Sequence, residues 1–348
     1  MTISATRVAR PCSVEEATRL LAEHGPEAMV IAGGTDVVPN LRMRLFSPRL
    51  LVDIKSVRAL RGIAFSEREG LRVGALATLT EICESPLVRE KFPVLASAVR
   101  TIAGPLQRNM GTLGGNLCLE TRCLWYNQSY FWRKALGGCL KHPLPHPEAA
   151  HLETLCHVAP GGKFCWAAWS GDSAPALLTL DAEVEISGAG GTRRLPLAQL
   201  YTNDGMNRIR LGHGELLTAV YVPARMAGRR GTYHKLRIRN AIDYPLAGVA
   251  VCLDVDAQGI CRDVRLAIAA VNPAPLLVPE AQQWLVGQKH SPELTERVAR
   301  AVIRTGKPLT TSASTPVYRR EMLRVFTRRA LEEAWRVQNG SMAVRDDG

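Results

Sequence analysis

Cysteines are the residues of this chain whose type and spacing most directly suggest chemistry. Five of the nine fall between positions 118 and 165: Cys118, Cys123, Cys139, Cys156 and Cys165. The other four stand singly in apolar contexts typical of small buried hydrophobes: Cys12, Cys83, Cys252 and Cys261. Clustered thiols bind metal ions or iron–sulfur clusters, or pair as disulfides, which a cytoplasmic protein rarely contains. We therefore expect the five clustered cysteines to hold a metal centre.

The stretch around these cysteines, residues 117–170, has neither a helical nor an alternating period. It contains four of the six tryptophans and four of the eight histidines, the latter being His142, His146, His151 and His157. So long an irregular segment is uncommon unless it is functional or held by something other than a hydrophobic core. Four thiolates suit a [4Fe-4S] cluster, and they also suit zinc, whose ligands usually come in close pairs. From the residues alone the two are about equally favoured, and a mixed site using His142 or His157 stays open.

Two glycine pairs follow apolar segments and could hold a phosphorylated ligand. They are Gly33-Gly34 and Gly114-Gly115. Glycine allows positive φ and close backbone approach, so several N–H groups can converge on a pyrophosphate. Neither pair belongs to the G-x-G-x-x-G motif of classical dinucleotide folds. Tight turns without a ligand are an equally good interpretation.

The elements that must position these residues belong to a mixed fold. Ser13, Glu16 and Gly25 mark the two ends of a first helix. Short strands are expected at 29–31, 50–54 and 71–75, helical segments at 37–44 and from Thr80 onward, and helix or strand pieces at 176–180, 182–186 and 216–222. After a linker at 225–231, segments 232–238, 246–255 and 261–270 alternate as antiparallel strands do. Two helices, 292–305 and 317–337, are expected at the end.

Composition excludes several classes of protein. The chain has 348 residues, 46% of them hydrophobic and 22% charged, which excludes a disordered protein and predicts two or three domains. It contains no membrane-spanning apolar run and no secretory leader, so we expect no membrane contact and a cytoplasmic location. The net charge of +12 is spread along the chain, which disfavours nucleic-acid binding and favours an acidic partner.

Five motifs, in order, resemble the FAD-binding (medium) subunit of the molybdenum hydroxylases, the xanthine dehydrogenase family. They lie at residues 31–36 (IAGGTD), 111–117 (GTLGGNL), 171–177 (GDSAPAL), 215–223 (ELLTAVYVP) and 233–237 (YHKLR). The resemblance implies an α+β protein with two domains. Residues 1–225 would form a PCMH-type (vanillyl-alcohol-oxidase-like) FAD-binding domain. Residues 232–337 would form an α+β domain of the CO-dehydrogenase flavoprotein type, an antiparallel sheet with helices.

The same resemblance implies which residues contact FAD. The first two motifs would wrap its diphosphate and ribityl chain, Asp172 would hydrogen-bond the cofactor, and Leu217 would pack near the isoalloxazine. Lys235 would approach the pyrimidine edge, where reduced flavin gains negative charge. Without the resemblance, Asp172 is a helix N-cap and Lys235 a solvated strand lysine. The complete set is Val30, Ile31, Ala32, Gly33, Gly34, Thr35, Asp36, Val37, Thr112, Leu113, Gly114, Gly115, Asn116, Asp172, Leu217 and Lys235.

Residues 117–170 form an insertion relative to most such subunits. The stretch 119–129 (LETRCLWYNQS) resembles one branch, the beta subunit of 4-hydroxybenzoyl-CoA reductase, whose insertion binds a [4Fe-4S] cluster. Carried over by position, the cluster ligands are Cys123, Cys139, Cys156 and Cys165, and Cys118 is left over. The interval between Cys139 and Cys156 is longer than the branch pattern, so Cys118 or a histidine replacing one ligand stays open.

The resemblance also implies a function. The chain would be an electron-transfer subunit with no catalytic residue of its own, joined to a large molybdopterin subunit and a small subunit with two [2Fe-2S] clusters in a dimer of heterotrimers. Electrons would pass between a ferredoxin-like carrier, the [4Fe-4S] cluster, FAD and the [2Fe-2S] clusters. The complex would dehydroxylate 4-hydroxybenzoyl-CoA reductively, in aromatic degradation. The alternative is an oxidative molybdenum hydroxylase acting on an aromatic or N-heterocyclic substrate.

Overall fold

The computed structural model describes residues 6–144 and 155–336. Several residues of the sequence analysis lie outside these ranges: residues 1–5, residues 145–147 and His151 of the expected insertion, and residue 337 at the expected end of the last helix. The strands are β1 Arg7–Ala9, β2 Ala28–Ile31, β3 Leu50–Asp53, β4 Ile63–Ser66, β5 Gly70–Gly74, β6 Gly138–Cys139, β7 His142–Pro143, β8 Glu183–Gly188, β9 Gly191–Pro196, β10 Leu216–Val222, β11 Arg230–Leu236, β12 Ala247–Val255, β13 Cys261–Ala269 and β14 Leu276–Leu277. The helices are α1 Val14–His24, α2 Val37–Arg42, α3 Leu79–Glu84, α4 Pro86–Lys91, α5 Pro93–Arg100, α6 Pro105–Met110, α7 Leu113–Leu117, α8 Tyr130–Ala135, α9 Ser173–Thr179, α10 Leu197–Leu200, α11 Glu280–Leu285, α12 Pro292–Val302 and α13 Pro316–Arg336.

A small parallel sheet and a larger antiparallel sheet build the first part of the chain. The parallel sheet has the order β1-β3-β2, and α1 packs beside it. Ser13 accepts a hydrogen bond from the Glu16 N–H, and the Glu16 carboxylate accepts one from the Cys12 N–H, so the start of α1 is fixed as the sequence predicts. The antiparallel sheet has the order β4-β5-β10-β8-β9.

A four-stranded antiparallel sheet, β11-β12-β13-β14, builds the last part. Both of its faces are buried. On β12, Ala250 and Cys252 join the main core with the first part of the chain, whereas Val249, Val251 and Leu253 face the helices α11, α12 and α13. The period-two alternation therefore sorts side chains between two cores rather than between core and solvent.

The α+β prediction is confirmed, and the differences have local causes. Residues 130–135 of the insertion form α8, which begins where Ser129 accepts a hydrogen bond from the Trp132 N–H, although the sequence showed no helical period there. The second glycine pair lies inside a short helix, α7, rather than in a turn. The expected linker ends at Arg229, because β11 already begins at Arg230. No helix among the described residues is both long and apolar enough to cross a membrane.

Arg319 of α13 anchors the last part of the chain and was not singled out from the sequence. Its buried guanidinium donates to the carbonyl oxygens of Leu246 (2.7 Å), Leu309 (2.8 Å) and Ala270. Burial lowers the pKa of Arg319 to about 10. The guanidinium thus ties the helix to the entry of β12, the exit of β13 and the segment before α13.

We predict that Arg319→Met lowers the free energy of unfolding by about 3 kcal/mol, because it leaves three buried carbonyl groups without a donor. Urea denaturation followed by tryptophan fluorescence measures the change. Arg320→Met, at the exposed neighbouring position, is the matched control and should stay within about 0.5 kcal/mol of the wild type. Equal effects of the two substitutions would contradict the anchoring role.

Candidate functional site

The first glycine segment, residues 33–37, leads from β2 into α2 with its backbone donors open. In the described part of the chain, the N–H groups of Gly33, Gly34, Thr35, Asp36 and Val37 donate to no protein acceptor. Gly34 has a φ of 73°, the left-handed conformation that anion-binding backbone turns use. The segment is partly exposed. It can therefore bind an anion through its backbone, as the sequence suggested.

The second glycine segment, residues 112–116, uses its donors internally. The N–H groups of Leu113 and Gly114 donate to the carbonyls of Ala77 and Ala75, and those of Gly115 and Asn116 donate to the hydroxyl and carbonyl oxygens of Thr112. The N–H groups of residues 113–116 therefore already have protein acceptors, and the contact of residues 112–116 with a pyrophosphate stays a prediction. These hydrogen bonds hold α7 against the end of β5.

The two segments touch where Gly33 lies against the end of α6. A Cβ atom on Gly33 would stand 1.8 Å from the carbonyl oxygen of Met110. One on Gly111 would stand 3.5 Å from the Thr35 hydroxyl. Glycine at position 33 is thus required by close backbone approach, and the second segment supports the first.

A third segment, at residues 171–173, closes on the second. The buried Asn116 accepts hydrogen bonds from the N–H and hydroxyl of Ser173 through its Oδ1. A Cβ on Gly171 would stand 2.7 Å from the Asn116 carbonyl oxygen. The second and third motifs of the sequence therefore form one packed unit.

Asp172 and Lys235, which the sequence assigned separately, form a buried ion pair. The Lys235 ammonium lies 2.8 Å from Asp172 Oδ2 and 3.0 Å from the Thr101 carbonyl oxygen, and the Tyr233 hydroxyl donates to Asp172 Oδ1 at 2.7 Å. Both side chains of the pair are at most 3% exposed. Burial raises the pKa of the Asp172 carboxyl, and the Lys235 ammonium and the Tyr233 hydroxyl oppose that rise.

This pairing corrects the simpler interpretations of both residues. Asp172 stands at the N-cap position of α9, yet its side chain makes no capping hydrogen bond. Lys235 is not a solvated strand lysine. Leu217 lies in the main core on β10, apart from any polar contact, and is 3% exposed.

Asp36 of the first glycine segment is bound by residues that the sequence did not single out. Its carboxylate pairs with the Arg122 guanidinium and accepts a hydrogen bond from the Tyr244 hydroxyl at 3.0 Å. The guanidinium carbon of Arg122 also lies 4.1 Å from the centre of the Tyr244 ring. The insertion, the first segment and the β11–β12 loop thus meet at Asp36. Nothing in residue type or spacing could have indicated this contact.

Lys55 is a second cation beside the first glycine segment. Its ammonium lies 2.9 Å from Asp53 Oδ1 and 3.5 Å from the carbonyl oxygen of Ala32. About half of its side chain is exposed. It therefore adds positive charge near the open N–H groups.

The four cysteines singled out from the sequence line one cavity. Cys123, Cys139, Cys156 and Cys165 surround it together with Trp125, Tyr126, Lys141, His157 and Trp166 among others. The cavity has about 310 Å³ of empty space, part of it open to solvent. All four cysteines are buried, and all nine cysteines of the chain are free thiols.

Backbone geometry brings these four sulfurs together. Gly137, Gly138 and Gly161 have positive φ, at 73°, 75° and 79°, and turn the chain around the cavity. Gly205 packs directly on Cys165, since a Cβ there would stand 2.8 Å from its sulfur. The Ala167 N–H donates to the Cys165 sulfur at 3.4 Å.

Burial changes the acidity of these thiols. It raises the pKa of Cys123 to about 11, and the neighbouring Cys139 and Cys156 contribute to the rise. It raises the pKa of Cys165 to about 12 against the opposing charge of Lys141, with smaller contributions from Cys123 and Cys139. Binding a metal here must therefore displace protons.

The other candidate ligands lie apart from the cavity or have another partner. Cys118 packs at the edge of the main core and is absent from the lining. His142 stands edge-on to Tyr126 and also does not line it. His157 does line the cavity, but its ring stacks on Trp125 with centroids 4.8 Å apart, and its Nε2 lies 2.8 Å from the Gly138 carbonyl oxygen.

The four cysteines line one cavity but do not form a ready-made metal-ion site. Over residues 6–144 and 155–336, no group of three or more His, Cys, Asp or Glu side chains has the geometry of a metal-ion site. A tetrahedral zinc ion requires four sulfurs within about 4 Å of one another. Among the described residues the four sulfurs do not have this arrangement.

Comparison with known protein families covers almost the whole chain. Residues 4–225 match the family described as FAD binding domain in molybdopterin dehydrogenase. Residues 231–334 match the CO dehydrogenase flavoprotein C-terminal domain.

Individual relatives agree with these matches. The xanthine dehydrogenase FAD-binding subunit of Escherichia coli O157:H7 is 27% identical over 334 residues, 96% of this chain and 97% of that protein. The aldehyde oxidoreductase FAD-binding subunit of Escherichia coli K12 is 32% identical over 273 residues, 76% of this chain and 81% of that protein. Reconstituted CO dehydrogenase from Oligotropha carboxidovorans has a chain that superposes with a TM-score of 0.77 at 25% identity, covering 96% of this chain and 99% of that one.

We predict that Lys235→Met lowers the free energy of unfolding at pH 7 by about 3–5 kcal/mol, because Asp172 then keeps a buried charge without its cation. Without Lys235, the pKa of Asp172 rises further above its ordinary value of 3.8. At a pH between the Asp172 pKa of the folded variant and that of the unfolded chain, the folded variant holds a proton that the unfolded chain has released. Lowering the pH from 7 toward 5 therefore stabilises the folded variant, and its loss of unfolding free energy becomes smaller. Urea unfolding at several pH values measures both effects.

Two variants control this prediction. Asp172→Asn combined with Lys235→Met removes both charges and should recover part of the loss. Lys55→Met breaks the half-exposed pair with Asp53 and should cost less than about 1 kcal/mol. A deficit that is constant with pH would contradict the assigned role of Asp172.

Proposed function

The chain belongs to the family of FAD-binding subunits of the molybdopterin dehydrogenases, as its motifs indicated, and we propose its function from that premise. It is an oxidoreductase subunit that binds FAD and transfers electrons. The observation that carries the proposal is the row of open N–H groups at residues 33–37, set among the family's other FAD motifs. We also propose the domain division at 1–225 and 232–337.

The first glycine segment holds the FAD diphosphate in this proposal. Five N–H groups that donate to no protein acceptor in the described part of the chain face the anion, and Lys55 adds a cation near them. The second segment supplies Thr112 and Asn116 as supports and keeps the first in place. When bound, FAD supplies one- and two-electron redox chemistry.

The Asp172–Lys235 pair keeps a cation fixed beside the flavin edge. Thr101 and Asp172 hold the Lys235 ammonium by hydrogen bonds, so its position costs no reorganisation when negative charge develops nearby. Asp172 acts mainly through Lys235, and Leu217 supports the site from the core of β10. These roles follow the family's motif positions.

We also propose that the insertion binds a [4Fe-4S] cluster through Cys123, Cys139, Cys156 and Cys165. Four buried free thiols around one cavity, two glycine turns and an N–H···S contact support it. A cluster binds each thiolate at a different iron, so it needs sulfurs that are spread apart. Zinc would need them convergent.

The partners follow from the family. We propose a large molybdopterin subunit, a small subunit with two [2Fe-2S] clusters, and assembly as a dimer of heterotrimers in the cytoplasm. The electron carrier is a ferredoxin-like protein, whose acidic surface the net charge of +12 attracts. The insertion also exposes two large aromatic side chains, Phe131 and Phe164, which offer the carrier an apolar surface.

The reaction we propose is reductive dehydroxylation of 4-hydroxybenzoyl-CoA in aromatic degradation, because the insertion resembles that branch. The second candidate is oxidative hydroxylation of an aromatic or N-heterocyclic substrate. The named relatives that oxidise xanthine or aldehydes favour it. Turnover of both substrate classes by the assembled complex distinguishes the two.

We predict that Gly33→Ala lowers the FAD affinity by about tenfold or more, about 1.4 kcal/mol, because its Cβ displaces the Met110 carbonyl and shifts the open N–H groups. Flavin-to-protein ratios and fluorescence titration measure the change. Gly190→Ala is the matched control, since a Cβ there meets nothing within 4 Å. Unchanged affinity in Gly33→Ala would remove this segment from the cofactor site.

We predict that Cys139→Ser loses the iron–sulfur cluster and keeps FAD, because the cavity and the first glycine segment are separate. Iron, sulfide and flavin analysis after anaerobic purification measures both cofactors. Cys118→Ser, outside the cavity, should keep both. Four irons per chain in Cys139→Ser would exclude that residue as a ligand.

A further inference from the structure

Two buried cations, Lys141 and Arg133, lie at or near the four-cysteine cavity. Arg133 on α8 is 2% exposed, and the Lys141 side chain, which lines the cavity, is 7% exposed. Lysine and arginine are rarely buried so completely unless an anion compensates them.

Lys141 shares one carboxylate with another cation. Its ammonium contacts the Glu120 carboxylate and the Gly205 carbonyl oxygen (2.8 Å), and it stands 4.5 Å from the centre of the Tyr126 ring. Glu120 also faces Arg208 at 3.6 Å. One negative charge therefore serves two positive ones.

Arg133 has no carboxylate within ion-pair distance among the described residues. It donates to the carbonyl oxygens of Gln128 (3.2 Å), Met43 (3.0 Å) and Arg44 (2.7 Å), whereas its Nη1 is buried without a partner. Burial lowers the pKa of Arg133, and the nearby Cys139 opposes that change. Burying this unpaired charge is unfavourable, and an anion nearby would stabilise it.

Arg133, Lys141 and Arg208 are three cations near the cavity, against the carboxylates of Glu120 and of Asp204, which accepts a hydrogen bond from the Cys165 N–H at 3.2 Å. One positive charge among these described groups is therefore uncompensated. Four thiolates with a [4Fe-4S] core carry a net negative charge, which increases by one when the carrier donates an electron. Opposite charges attract strongly where water is excluded. The excess positive charge near the cavity is therefore opposite in sign to the charge of such a cluster.

We propose that Arg133 and Lys141 are the counter-charges of the cluster and raise its reduction potential, while Glu120 lowers it. This inference rests on the cluster of the proposed function. Both cations are positioning and tuning residues, since neither provides a ligand. Arg133 also caps the C-terminal carbonyls of α2, so the test must separate its charge from its hydrogen bonds.

The test is the midpoint potential of the cluster in the assembled complex, titrated with EPR detection. Arg133→Gln should shift the potential to more negative values, and Glu120→Gln should shift it to more positive values. Arg133→Lys keeps the charge and should stay near the wild type. Lys134→Gln removes an exposed cation from the same helix and should also change little.

Opposite shifts in the two neutralising variants are the decisive result, because loss of a purely structural role predicts no such sign. Shifts of the same sign, or no shift in Glu120→Gln, would overturn the inference while leaving the cluster itself established by its iron and sulfide. If Arg133→Gln loses its iron, the test uses the other two variants. The inference then requires a more positive potential in Glu120→Gln and a potential near the wild-type value in Arg133→Lys. A wild-type protein free of iron and sulfide would overturn the proposed cluster and this inference with it.

Discussion

The close approach of Gly33 to the Met110 carbonyl is the constraint on which the site depends. No side chain fits between these two backbones, so the loop after β2 rests directly on the end of α6. Along this loop, the N–H groups of residues 33–37 donate to no protein acceptor in the described part of the chain. The N–H groups of the second glycine segment donate within the protein. Asn116 of that segment accepts a hydrogen bond from Ser173, next to Asp172.

Each proposed redox site has a buried lysine that is paired with a carboxylate. Lys235 is buried against Asp172, and Lys141 is buried against Glu120, so each cation is fixed beside a place where a redox group is proposed. Between them, Arg122 reaches from the insertion to Asp36, and Arg133 reaches to the residues that follow α2. Helix α2 is therefore held at its start and its end by two arginines of the insertion.

Periodicity and capping residues are local signals, and from them the sequence predicted a mixed fold, several of the strands and a cysteine-rich metal-binding stretch. The α+β class and the choice of four cysteines came from the resemblance of the motifs to a known family. The sequence could not predict that Asp172 binds Lys235, which lies 63 residues away, or that Arg122 binds Asp36. Such pairs depend on how distant segments pack. The second glycine segment was assigned open donors because residue type does not reveal which acceptors a folded neighbour supplies, here the carbonyls of Ala75 and Ala77.

The two ends of the insertion lie side by side. Arg122 and Ala168 exchange two backbone hydrogen bonds, at 2.8 and 2.7 Å, so the chain leaves the FAD-binding part and returns to it at almost the same point. A small core packs Tyr126 and Ala167 of the insertion against Leu45 of the first part of the chain. Because the two ends of the insertion meet at one place, a segment of this length can be added there without altering a strand of the large sheets.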